Sequence, residues 1–259
     1  MIVENGEWIM KGVDWEDTAC IHSTDELIDV INEYGFLPLF SNEVQGFSVE
    51  EMTEPAYWWS GDVDVDPWEW RAIIARTGKV AYGKFFNKKA GFISKKWFPY
   101  FANYRRDGYD FDARYEDGKA EFRENLIMKL FLPANIELMD VDRKHIKEYV
   151  ESPELFSFEV KKRAGFGKDG EKNFEGTVTK LQMESYLVVK DFRQKVNKKG
   201  EPYGWANAIY TLPEYIWGYK NVTQRYKENT EESYNKIIKQ IQKCFPNADL
   251  KDIKRVMKS

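Results

Sequence analysis

Cysteine and histidine are scarce in this chain of 259 residues: Cys20, Cys244, His22 and His145 are all there are. Two cysteines so far apart predict a reduced, cytoplasmic protein without disulfides. Four such residues, scattered, exclude a zinc site of the usual kind and leave no Ser–His–Asp arrangement to argue. No apolar run approaches the roughly 18–20 residues that span a bilayer, so no membrane partner is expected. The start, MIVENGEWIMKGVDWED, has neither a basic region nor an apolar stretch and predicts no signal peptide. The Gly-rich run Ala164–Gly170 lacks G-x-x-x-x-G-K-[ST], so no nucleotide P-loop is supported and no cofactor is expected. Asp62, Asp64 and Asp66 alternate, but Pro67 and Ile73 stand where an EF-hand needs Gly and Glu. An acidic loop ending in an Asp66 helix cap is the better reading, and no metal is expected. Any catalysis must rest on carboxylates, tyrosines or lysines.

Charge and aromatics, by contrast, are plentiful. Aromatic residues make up 16% of the chain, which argues against disorder. The net charge of -4 hides an asymmetry. Residues 1–78 carry 17 acidic and 3 basic groups, the remainder 26 and 36, giving -14 and +10. Such a split suits a nucleic-acid partner for the basic part, or two parts that dock on each other. The densest mixture runs from Val80 to Asp112, where aromatics alternate with Lys84, Lys88, Lys89, Lys95, Lys96, Arg105 and Arg106. Cations among rings suit phosphates and bases, with Tyr104 and Tyr109 placed to stack. The plainer alternative is a half-buried hairpin and helix whose arginines pair with Asp107, Asp110 or Asp112.

The pattern predicts an α+β protein. Ser23–Glu26 opens a helix stopped at Gly35, and Phe36–Phe40 is extended. Asp66-Pro67 opens a helix to Gly78; Val80–Phe86 and Gly91–Ile93 form a strand pair; Ser94 caps a helix ending near Gly108. Helices are then expected over 120–132, 140–149, 152–165 and 171–184, followed by a hairpin of Tyr186–Val196 with Trp205–Thr211 and a helical tail from Thr230. Helices followed by a hairpin with a basic tip suggest a winged-helix architecture, single or tandem. Lys172, Asn173, Thr177 and Lys180 are the polar candidates on its recognition helix, and Lys195, Lys198 and Lys199 sit on its wing. The expected division is an acidic-to-aromatic part over 1–116, a winged-helix part over 117–218 and a helical extension over 219–259.

Phe85–Arg106, KNFEGTVTKLQMESYLVVKDF and YGWANAIYTLPEYIWG together resemble the AlkZ-type winged-helix DNA glycosylases, over roughly residues 24–218. The resemblance implies a DNA partner and a Gln-aliphatic-Gln or Gln-aliphatic-Asp signature that positions water for cleavage of the N-glycosidic bond. The corresponding place is Gly35–Phe40, where Pro38 and Phe40 occupy the polar positions. Neither side chain can orient or deprotonate water, so the family chemistry is expected to be lost. Three readings follow. The first is a DNA-binding protein on a glycosylase scaffold. The second is an interaction module that binds a protein through its acidic part and aromatic segment. The third is a nucleobase-excising hydrolase with Glu43, Asp62 or Glu69 as the carboxylate.

Overall fold

The computed structural model describes residues 2–4 and 7–258. Strands β1 (Ile2–Glu4) and β2 (Glu7–Ile9) form a short antiparallel pair. Helix α1 (Thr24–Tyr34) starts where the Ser23 hydroxyl accepts the Glu26 N–H and buries Leu27, Ile28 and Ile31. Its stop, Gly35, has φ +94°, and a Cβ there would lie 2.4 Å from the Trp97 ring, so only glycine fits. Strand β3 (Phe36–Pro38) follows on the sheet edge, the position a proline tolerates. Helix α2 (Pro67–Thr77) is capped by Asp66, whose carboxylate accepts the N–H groups of Trp68, Trp59 and Gly61 and so organises the acidic loop.

Strands β4 (Val80–Phe86) and β5 (Lys89–Ser94) turn at Asn87-Lys88, both at positive φ. Helices α3 (Phe98–Arg106), α4 (Phe111–Glu116) and α5 (Phe122–Met128) come next, then β6 (Leu155–Phe156), α6 (Ser157–Arg163) and α7 (Phe174–Met183). Strands β7 (Val188–Val196) and β8 (Pro202–Thr211) pair antiparallel, as the hairpin pattern predicts. Helices α8 (Pro213–Trp217), α9 (Tyr219–Val222), α10 (Thr230–Cys244) and α11 (Leu250–Val256) complete the chain. The larger sheet has the order β3-β5-β4-β7-β8-β6 with every pairing antiparallel. Tyr82 opposite Val189 joins strands from before and after residue 117 into that sheet. Helix α10 lies on α3, where Asn103 donates to Glu228 O and Ser233 Oγ.

Several expected helices are shorter. The 120–132 segment ends its helix at Met128, and the Phe131 carbonyl beyond it accepts from the Tyr215 hydroxyl. The 140–149 segment forms 3-10 turns, kinked at His145, and buries no side chain that would hold a longer helix. Leu155 and Phe156 are drawn onto the sheet edge beside Tyr210 and Ile209, so only Ser157–Arg163 is helical in the 152–165 segment. Helix α7 starts at Phe174 instead of Glu171. Glu171 is held by the glycine loop through hydrogen bonds with Gly165 and Gly167, and Asn173 is left-handed at φ +65°.

Strands β4 and β7 are antiparallel neighbours, so their following turns, at Lys88 and at Lys198, lie at opposite ends of the sheet. Counted from the Tyr82–Val189 pair at about 3.3 Å per residue, the two turns stand up to roughly 50 Å apart. Among the described residues no helix is long and apolar enough to cross a membrane.

Candidate functional site

A cleft of about 780 Å³ opens between α7, the β4–β5 hairpin and the ends of α3 and α4. Its size is that of a small-molecule or nucleotide site. Cationic side chains come from β4 (Lys84), its turn (Lys88), α3 (Arg105), α4 (Arg114) and α7 (Lys180); Glu175 and Glu184 add carboxylates, and Asn173, Thr179 and Met183 complete much of the wall. Two of the cations are already neutralised. Arg114 Nη2 donates to Glu184 Oε1 at 2.9 Å, and Lys180 Nζ reaches Glu121 at 2.8 Å and Glu124 at 3.0 Å. Lys84 Nζ meets the Thr179 hydroxyl, 3.2 Å away, and has no carboxylate partner among the described residues.

Behind that wall two carboxyls lie together. Burial and the adjacent Glu124 carboxylate push Glu184 up to about 7, against the pull of Arg114 and Lys180. When both are ionised, Glu124 Oε1 and Glu184 Oε2 have no hydrogen-bond partner among the described residues; a proton on Glu184 completes the contact with Glu124. A buried carboxyl raised to about 7, as Glu184 is, is able to give or take a proton at working pH.

The neighbouring arginines have opposite surroundings. Arg106, 1% exposed, pairs with Glu214 at 2.5 Å and donates to Ser185 O at 2.6 Å and to the Tyr226 hydroxyl at 2.9 Å. Burial disfavours its charge, but Glu214 outweighs that cost and raises its pKa above the ordinary arginine value. Arg105, 6% exposed, has no acidic partner among the described residues; one nitrogen reaches Phe85 O, and its Nε and Nη1 have no partner there. Burial lowers it to about 10, with no carboxylate to offset the loss of solvent. Both arginines had been expected either to contact nucleic acid or to pair with Asp107, Asp110 or Asp112. Instead, Arg106 is an internal brace, unavailable to a partner, while Arg105 lines the cleft.

Other sequence candidates divide by burial. Thr177 is buried with its hydroxyl donating to Asn173 O, so it cannot serve as a contact. Lys172 is exposed and donates to Gly167 O at 2.6 Å. Tyr104 packs on the Tyr234 ring, and Tyr109 is covered by Lys119, so neither ring stands free to stack. Lys89, Lys95, Lys96, Lys198 and Lys199 are exposed, and Lys195 lies over the Phe158 ring at 4.4 Å. None of Glu43, Asp62 and Glu69 lines the cleft. Glu43 borders a separate hollow with Phe245 and Asp252, and Asp62 accepts the Asp64 N–H in its loop. Among the described residues no three of His, Cys, Asp and Glu gather as metal ligands.

Of the two residues that the resemblance sets at the signature, Pro38 is buried on the edge strand, and Phe40 packs against Trp58 and Trp68 at 5.4 and 6.3 Å between ring centres. Arg71 covers Trp68 at 3.4 Å, so the surroundings are aromatic and hold neither Gln nor Asp at those two places.

Sequence reasoning missed Arg114, Glu124, Glu184 and Trp205. The only local signal was the Glu121–Glu124 spacing, which forms a capping box. Trp205 follows Pro202 on the outward part of β8 and is 94% exposed, an unusual state for so large a ring.

A family model described as AlkZ related matches residues 21–258. No curated protein and no solved structure matches the chain. The match spans the α1–β3 signature region, the cleft and the terminal helices alike, and the protein therefore belongs to the AlkZ-related family.

Proposed function

We propose that this chain is a winged-helix DNA-binding protein of the AlkZ-related family that does not use the Gln-based glycosylase chemistry. The observation that carries the reading is the cleft: it is lined by α7, the helix leading into the β7–β8 hairpin, and has more cations than carboxylates in its wall. Phosphates supply the matching charge, and α7 in a winged helix is the element that meets DNA. The hairpin offers a second contact through Lys198, Lys199 and the exposed Trp205 ring. Pro38 and Phe40, in apolar surroundings, supply no group to activate water.

A second reading has its own support. The Glu124–Glu184 pair, not Glu43, Asp62 or Glu69, is the carboxyl system tuned near neutrality, and a hydrolase acting on a nucleobase would draw its proton transfer from there.

The test is duplex binding by anisotropy over a salt series. The expected result is affinity that falls steeply with salt, weakened in Lys84→Gln/Lys88→Gln and in Lys198→Glu/Lys199→Glu, each phosphate contact removed lowering the log–log slope by about 0.9. Affinity indifferent to salt and to both variants would reject DNA binding and favour a protein partner. Incubation with alkylated duplex should yield no abasic sites; base release that Glu184→Gln abolishes would establish the second reading instead.

A further inference from the structure

We propose that Arg105 is the receptor for a phosphate monoester, carried either by a free nucleotide or by a phosphorylated strand end. The proposal rests on the cleft described above and narrows what the DNA-binding reading would place there.

Three observations lead to it. The first is the contrast between adjacent residues: Arg106 is buried with Glu214, while Arg105 is buried with no carboxylate among the described residues. A buried guanidinium is costly unless paired, and the fold that gives Arg106 a carboxylate leaves its neighbour without a counter-ion among the described residues. The second is the set of open donors. Nε and Nη1 of Arg105 have no partner among the described residues, and Arg105 belongs to the cleft wall. The two nitrogens lie on either side of Cδ and point apart, so each can meet one acceptor, and a charged phosphate oxygen is a fitting one. The third is the charge balance. Lys84, Lys88, Arg105, Arg114 and Lys180 face Glu175, Glu184, Glu121 and Glu124, an excess of one positive charge that rises to two when Glu184 holds its proton. A phosphate monoester, which carries about -1.5 to -2 at neutral pH, answers that protonated state, whereas an internal phosphodiester has a single charge.

The wall also has room for what the phosphate is attached to. Asn173, Thr179 and Met183 offer an amide, a hydroxyl and an apolar surface beside the cations. Lys84 Nζ, anchored by Thr179, stands on the neighbouring strand as a second cation for the same group.

The experiment compares one short DNA strand bearing a 5′-phosphate with the same strand bearing a 5′-hydroxyl, and separately titrates inorganic phosphate and a deoxynucleoside 5′-monophosphate by calorimetry and thermal shift. The wild type should bind the phosphorylated strand about tenfold or more tightly than its hydroxyl counterpart. Arg105→Met should abolish the preference and Arg105→Lys should recover part of it. If Arg105→Met does not fold, the wild-type comparison and Lys84→Met, which should weaken the preference, decide. Equal affinity for the two strands together with no response to phosphate or the mononucleotide, or a preference that survives in Arg105→Met, overturns the proposal. A response to the mononucleotide as strong as to the strand identifies a free nucleotide as the source, and a response to the strand alone identifies the strand end. Salt-dependent duplex binding with no monoester preference would sink this inference and leave DNA binding standing. Mononucleotide binding through Arg105 without duplex binding would do the reverse.

Discussion

Cutting the Arg106–Glu214 pair is the sharpest test of how the fold is held together. The pair joins the end of α3 to the start of α8, 108 residues apart, with side chains 1% and 3% exposed. Glu214→Gln would leave a buried guanidinium held by the Ser185 carbonyl, the Tyr226 hydroxyl and the Tyr186 ring, with no charged partner among the described residues. Removing one partner of a buried pair costs about 3–5 kcal/mol. For a chain of this size that is a fall of roughly 6–20 °C in the melting temperature. Replacing both residues, as Arg106→Met with Glu214→Leu, removes the orphan charge and should restore most of the loss, since buried pairs are often neutral against apolar substitutes of similar volume. Urea denaturation of the wild type, the two single variants and the double variant gives the coupling energy directly. A Glu214→Gln variant within about 0.5 kcal/mol of wild type would refute the reasoning, because a fully desolvated pair cannot lose one charge so cheaply.

Two further outcomes are expected. Glu184 moves from 4.5 to about 7 on folding, so its contribution to stability is complete below 4.5 and disappears as pH rises through about 7. Glu184→Gln should flatten the decline in melting temperature between pH 4.5 and 7.5, and an unchanged pH profile would show that the carboxyls are not coupled. Gly35→Ala, which drives a methyl into the Trp97 ring at a left-handed position, should cost about 2–3 kcal/mol by chemical denaturation, and a loss below about 0.5 would contradict the close contact.

The sequence alone determined the local structure wherever one short segment contains its own instructions. Ser23 with Gly35, and Asp66-Pro67 with Gly78, bound two helices because caps, φ restrictions and apolar spacing act within a few residues. The β4–β5 and β7–β8 hairpins were legible for the same reason, and the order of segments sufficed to bring the AlkZ-type family into view. The 140–149 and 152–165 segments were misread because their fate depends on distant partners: one has no buried face to hold a long helix, and the other is claimed by the sheet edge. Tertiary structure alone decided the site. Arg105 and Arg106 are adjacent and chemically identical, yet one meets Glu214 and the other meets no carboxylate among the described residues, because the helix turns each toward a different neighbour. Glu124 and Glu184 lie 60 residues apart, and nothing in the spacing of either could announce that the Glu124 carboxylate raises Glu184. Charge in a folded protein is governed by distance and desolvation, and both are set by packing between segments, not by the order in which residues are joined.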